Sequence, residues 1–187
     1  MKKIVVLLAA LFVAAPVFAG NTGYVKLSLW DNIAVAVPNN IHNITGLDLG
    51  IGSKADTVDG VQFDFIYGDA HKVRGVKFGL VDTADIVYGI QGGLVTINRQ
   101  DMRGIQGGLV SINNGKMQGL QDGYINWSDG QVIGVQWGLV NVANRMTGVQ
   151  FGLVNYAKQL ENGLQLGLVN IAKNGWLPVM IIVNGRF

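Results

Sequence analysis

The line G-[VIL]-Q-x-G-L-V-N recurs along this chain, and a sequence with a short fixed period folds by laying like units against like. "GVQWGLVNVA" at 134–143 returns as "GVQFGLVNYA" at 148–157 and as "GLQLGLVNIA" at 163–172. Units begin at Gly46, Gly60, Gly75, Gly89, Gly104, Gly119, Gly134, Gly148 and Gly163, in steps of 14 or 15 residues. "GIQGGLVTI" and "GIQGGLVSI" keep the line closely and "GVKFGLVDT" nearly so. "GLDLGIGSK", "GVQFDFIYG" and "GLQDGYINW" are degenerate copies.

Inside a unit the side chains alternate with period two. Val149, Phe151 and Leu153 share one face, while Gln150 and Gly152 share the other. That period belongs to a strand, and two glycines per unit would burden a helix interior by about 1 kcal/mol each. Asn114-Gly115, Asp129-Gly130 and Asn174-Gly175 stand between strand-like flanks, where such pairs favour type I′ turns and antiparallel hairpins. An apolar residue two places before most units (Val58, Val73, Val87, Met102, Met117, Val132, Met146) extends each strand backwards. Two short strands around Asp31-Asn32, ended at Pro38, precede the units, and "LPVMIIVNGRF" at 177–187 forms a last strand.

The ends point to export. Lys2 and Lys3 precede an apolar run at 4–13, and Val17-Phe18-Ala19 supplies a small-residue cleavage pattern, so residues 1–19 read as a signal peptide and 20–187 as one β-repeat domain. Two of the 14 basic residues lie in that leader, leaving 12 against 12 acidic ones. A neutral chain points to no nucleic acid partner. The absence of cysteine excludes disulfides, thiolate metal sites and an acylated lipoprotein anchor. Glycine at 27 of 187 residues with three prolines suits strands and tight turns.

The expected fold is all-β: an antiparallel meander of strand-turn repeats closing into a barrel of about 12 strands, as in outer-membrane proteins. Phe187, ending an alternating apolar strand, is the candidate C-terminal insertion signal. Outer-membrane lipid and the barrel-insertion machinery are the partners that follow. Two features resist this reading. The chain has no large loops, and the apolar face is three residues deep before Asn155, or its counterparts Asn141, Asn170, Asp82 and Ser111, breaks it. A bulge at Leu153-Val154 would shift the phase and turn Val154 and Tyr156 outward. The alternative is a soluble β-solenoid, in which parallel units stack identical residues into Gln and Asn ladders and bind an envelope or host partner.

The tandem G-x-Q-x-G-L-[VI]-N units, the signal peptide and the Pro-containing final strand ending in Phe187 resemble the poorly characterised surface-repeat proteins of Gram-negative bacteria. The resemblance covers residues 46–187. It implies a location at the outer membrane or cell surface and no enzymatic activity.

Chemistry-bearing residues are sparse. His42 and His71 lack ligand spacing, and the pairs Asp56 with Asp59 and Asp82 with Asp85 read as solvated turns. The short glycine spacings are not phosphate loops, because no helix follows them. No catalytic residue, cofactor or metal is expected. The candidates for function are Gln62, Gln91, Gln106, Gln121, Gln136, Gln150 and Gln165, lining a lumen or a polar face, with Asp48 and Lys77 at the equivalent place. Trp137, Phe151, Phe63 and Phe78 read as lipid- or core-packing residues, and Tyr67, Trp127 and Tyr156 as an interfacial girdle. Asp122 on the apolar face suits neither fold.

Overall fold

The computed structural model describes residues 22–30, 33–34 and 42–187; the expected signal peptide, Asp31-Asn32 and Pro38 lie outside them. Extended backbone dominates: β1 (Thr22–Trp30), β2 (Ile33–Ala34), β3 (Asn43–Asn113), β4 (Lys116–Trp137), β5 (Val140–Phe151), β6 (Val154–Ala172) and β7 (Val179–Arg186). β3 alone runs 71 residues. Laid straight it would reach roughly 230 Å. Instead it winds, so that each unit-opening glycine rests on the carbonyl of the glycine one unit earlier, from Gly60 on Gly46 to Gly163 on Gly148.

The pairing is parallel and in register. Gly104 lies opposite Gly119, Gln106 opposite Gln121, Gln136 opposite Gln150 and Asn141 opposite Asn155. Each 14–15-residue unit is therefore one rung of a β-solenoid. The extra residue of the longer units is absorbed by register shifts at Ser128/Gln131 and Met146/Thr147. β1 pairs in parallel with the start of β3, Lys26 opposite Asp48, and makes a first partial rung. β7 runs antiparallel along β6, Gln165 opposite Asn184, and closes the other end.

The expected barrel is thus replaced by its solenoid alternative, and the antiparallel meander by parallel stacking. The hairpin expectation fails at Asn114-Gly115 and Asp129-Gly130, which lie in the parallel stack, whereas Asn174-Gly175 does stand in the connection between antiparallel β6 and β7, without type I′ geometry. Among the described residues, positive φ falls at Gly46, Gly60, Gly75, Gly89, Gly104, Gly119, Gly134 and Gly148, and at Ile182, but at neither residue of Asn114-Gly115, Asp129-Gly130 or Asn174-Gly175. The unit-opening glycine has two reasons to be glycine: φ between 122° and 148° in these eight, and no room for a Cβ beneath the neighbouring carbonyl. The anticipated change of phase does occur. Leu153 and Val154 both face outward before Asn155 turns in, but at a corner of the rung, where Gly152 and Leu153 bend the chain.

Four files of side chains fill the interior. The apolar one (Val58, Val73, Val87, Met102, Met117, Val132, Met146, Leu160) is wholly buried, each member worth about 1.5–3 kcal/mol. A second holds small residues such as Ala84, Ser128, Ala143, Ala157 and Ala172. The other two are polar.

Candidate functional site: a polar interior inside an apolar wall

All seven predicted glutamines lie in the interior with no exposed surface. From Gln106 onward they form a ladder. Gln121 Nε2 donates to Gln106 Oε1 (3.3 Å), Gln136 to Gln121 (2.7 Å), Gln150 to Gln136 (2.6 Å) and Gln165 to Gln150 (2.7 Å). Gln136, Gln150 and Gln165 also donate to the carbonyls of Val142, Tyr156 and Ile171, tying the two sides of each rung together. Gln91 and Gln106 reach the carbonyls of Ile97 and Ile112 in the same way. From Gln106 to Gln150 the buried amides are satisfied and cost little, whereas Gln91 Oε1 and Gln165 Oε1, at the ends of the run, have no partner. The side chains fill the interior, so they line no open bore.

The residue that interrupted the apolar face builds the second ladder. Asn126 donates to Asn141, Asn141 to Asn155 and Asn155 to Asn170, each at 2.8 Å. Each of the three donors also reaches the carbonyl before the next rung's corner, at Trp137, Phe151 and Leu166. The corner glycine leaves room for this: a Cβ on Gly152 would crowd the amides of Asn141 and Asn155 and the carbonyl of Gly138.

In the early rungs both ladders give way to charge. Lys26, Asp48, Asp64, Lys77 and Asp82 are all buried. Lys26 Nζ donates to Ser53 Oγ (3.0 Å) and the Lys54 carbonyl, and Ser53 Oγ donates to Asp48 Oδ2 (2.6 Å). Lys77 Nζ lies 3.3 Å from Asp82 Oδ1 and 4.0 Å from Asp64 Oδ2, ion pairs without hydrogen-bond geometry. Asp48 Oδ1, both Asp64 oxygens, Asp82 Oδ2 and both amide atoms of Gln62 have no hydrogen-bond partner. Gln62 is near enough to Asp64 to favour its charged form slightly, yet outside bonding geometry. Burial pushes the Asp64 carboxyl up to about 7, against Lys77 and with help from Asp48 and Asp82. Burial likewise raises Asp82 to about 6, against Lys77 and Gln91, and raises Asp48 against Ser53 and Lys26. Among the described residues no group of three or more His, Cys, Asp or Glu could hold a metal ion.

The outside inverts the usual order. Phe63, Phe78, Trp137 (60% exposed) and Phe151 stand along one flank of the rungs. Phe65, Leu80, Leu94, Leu109, Tyr124, Leu139, Leu153 and Leu168 line the corner, with Ile66, Val81, Ile125, Val154 and Val169 behind it, all exposed. Val179, Ile181 and Ile182 carry this wall onto β7. The outward charges gather at the opposite edge, in the last third of each unit. There His71 Nδ1 meets Asp85 Oδ2 (2.7 Å), Arg99 bridges Asp85 and Asp69, and Arg74 approaches Asp59 (3.4 Å). Asp82 and Asp85, paired in sequence, are thus parted, one inside and one outside; Asp56 is exposed at the charged edge and His42 is half-buried.

The three aromatic residues expected at an interface stand where wall meets charged edge. Trp127 is half exposed and donates from Nε1 to Asp129 Oδ1 (2.7 Å), Tyr67 shares a hydrogen bond with Thr83, and Tyr156 is partly covered. Phe187 projects beyond β7, 79% exposed, its ring centroid 6.0 Å from that of Trp176. Asp122 is exposed in a shallow cleft with Gly108, Gly123, Tyr124, Trp137 and Leu139, on a flank where the preceding rungs carry Gly92 and Gly107. Sequence reasoning flagged Asp48 and Lys77 as departures from the glutamine line but missed Asp64. Its signal was a carboxylate where other units place the corner glycine, as at Gly79 and Gly93. No protein-family model, curated protein or solved structure matches this chain.

Proposed function

We propose that this chain is a non-enzymatic binding module of the bacterial cell envelope, exported by its leader, whose working surface is the apolar outer wall. The observation that carries this reading is the partition of the rung, with hydrogen-bonded amides inside and large apolar side chains outside. A row of exposed apolar side chains running rung after rung, from Phe65 and Leu80 to Leu153 and Leu168, is the kind of contiguous patch that marks an interaction surface. The resemblance to Gram-negative surface-repeat proteins supports the envelope as the place. The non-enzymatic part rests on the same geometry. Asp48, Asp64, Lys77 and Asp82 are sealed inside, His71, Asp85 and Arg99 are paired at the charged edge, and the clefts around Trp30 and Tyr67 and around Asp122 are open.

Fractionation of cells expressing the full chain tests this. The expected outcome is recovery with the envelope and release by detergent. A chain that leaves cells as a soluble monomer, stable without detergent, would refute it.

A further inference from the structure

The proposal above leaves the partner of the wall open, and three features narrow it. The wall turns a corner. Backbone bends at Gly138-Leu139 and Gly152-Leu153 set two apolar flanks against each other, with Leu139 and Leu153 on the ridge between them. A protein covers both flanks of such a ridge only with a matching groove, whereas a fluid phase covers both without one. The ridge runs the length of the stacked rungs, roughly 40 Å at the spacing of paired strands. Secondly, the charges lie on the far edge and follow it for the whole length, so one side of the solenoid must stay in water. Thirdly, Trp127 sits on the boundary with its ring outward and its N–H on Asp129, the arrangement that amphipathic rings adopt at a membrane surface.

We propose, resting on the reading of the wall as the working surface, that its partner is the acyl interface of a lipid bilayer. The solenoid axis lies in the membrane plane, the ridge enters the acyl boundary and the charged edge faces water. This is the amphipathic-helix mode of attachment carried out by a β-structure. The wall carries no cationic side chain between 60 and 171, so binding needs no anionic lipid. Asp122 is the single charged residue at the wall's positions over that span and works against insertion.

Flotation of the purified chain with phosphatidylcholine vesicles, alone or with a quarter phosphatidylglycerol, tests the assignment. Wild type and variants carry the same N-terminus, so their difference reports on the wall alone. Both vesicle types should bind alike, and about 0.5 M salt should not release the chain. Trp137→Ser/Leu139→Ser/Phe151→Ser/Leu153→Ser should lose partition by at least about tenfold, given the apolar area removed. Asp122→Leu should gain about threefold or more, because a charge leaves the interface. Amide exchange unchanged from the wild type would show that the gain does not come from misfolding. Lys158→Gln, on the charged edge, should change nothing. Absence of flotation, with a detergent-free oligomer that the quadruple variant converts to monomer, would overturn lipid as the partner but keep the wall as a binding surface. A wild-type monomer that neither floats nor self-associates would overturn both.

Discussion

Replacing Gln136 by leucine separates a packed polar interior from a water-filled one. Gln136 donates to Gln121 and to the Val142 carbonyl, and it accepts from Gln150. Leucine of similar volume leaves one Gln150 N–H and the Val142 carbonyl unpaired in a site with no exposed surface. Gln121 Oε1 still accepts from Ser128 Oγ at 2.9 Å. Two orphaned groups at about 1–3 kcal/mol each, less what the buried leucine regains, give a net loss of about 2–4 kcal/mol. Gln62→Leu supplies the contrast. Its amide makes no hydrogen bond although it is equally buried, so the exchange should leave stability within about 1 kcal/mol of the wild type, or raise it. Repeat stacks need not unfold in one step, so urea midpoints should be read together with amide hydrogen exchange of residues 134–157. Equal stability of Gln136→Leu and the wild type would mean that the glutamines face water, and the interior ladder would be wrong.

The buried acids make the early rungs sensitive to pH. Asp48, Asp64 and Asp82 all have folded-state pKa values above the ordinary 3.8, so the folded form holds their protons more tightly than the unfolded one. Their contribution is complete below about pH 4 and is lost as pH rises through about 6 to 7, on the order of 3–4 kcal/mol each for Asp64 and Asp82. Exchange-corrected protection of residues 46–88 should therefore be higher at pH 5 than at pH 8, and Asp64→Asn should flatten the difference; pH-independent protection would contradict the burial. Gly148→Ala places a Cβ at φ 122° and against the Gly134 carbonyl, and it should cost at least about 2 kcal/mol in the same urea assay. An alanine tolerated there would argue against close parallel stacking.

The extended backbone, the repeat unit and its two faces were legible in the sequence, because period two and a 14–15-residue repeat follow directly from the letters; strand length was not, since β3 runs through several units without a break. The direction of pairing was not. Asn114-Gly115 and Asp129-Gly130 carry the local signature of a hairpin, yet they pass through extended or turning backbone without positive φ. The stacking of identical rungs outweighs the local turn preference, since in-register pairing satisfies the Gln and Asn ladders together. The asparagine that broke the apolar face, a defect in a barrel wall, is the best sequence sign of the solenoid: Asn155 is where the chain turns inward past a corner. Which face would be inside was also hidden. Alternation alone does not tell a core from a lipid-facing wall, and the apolar face of Trp137, Leu139, Phe151 and Leu153 is the outer one. The charge cluster was legible only in part, because Lys26 precedes the repeat units and Asp64 takes the corner-glycine place of its unit rather than the glutamine place.

Parallel, in-register stacking is the claim on which the ladders, the wall and its proposed partner all depend, and the lack of native cysteine allows a direct measurement. Val142 lies opposite Tyr156 in the solenoid. In an antiparallel hairpin turning at Asn144-Arg145, Val142 sits beside the turn and Tyr156 roughly 30 Å along the partner strand, far beyond the about 7 Å that a disulfide spans. That hairpin would instead bring Val140 opposite Val149, whereas the solenoid sets Val140 opposite Val154. Under mild oxidation the solenoid predicts a disulfide in the Val142→Cys/Tyr156→Cys chain and none in Val140→Cys/Val149→Cys. The reverse result would contradict it.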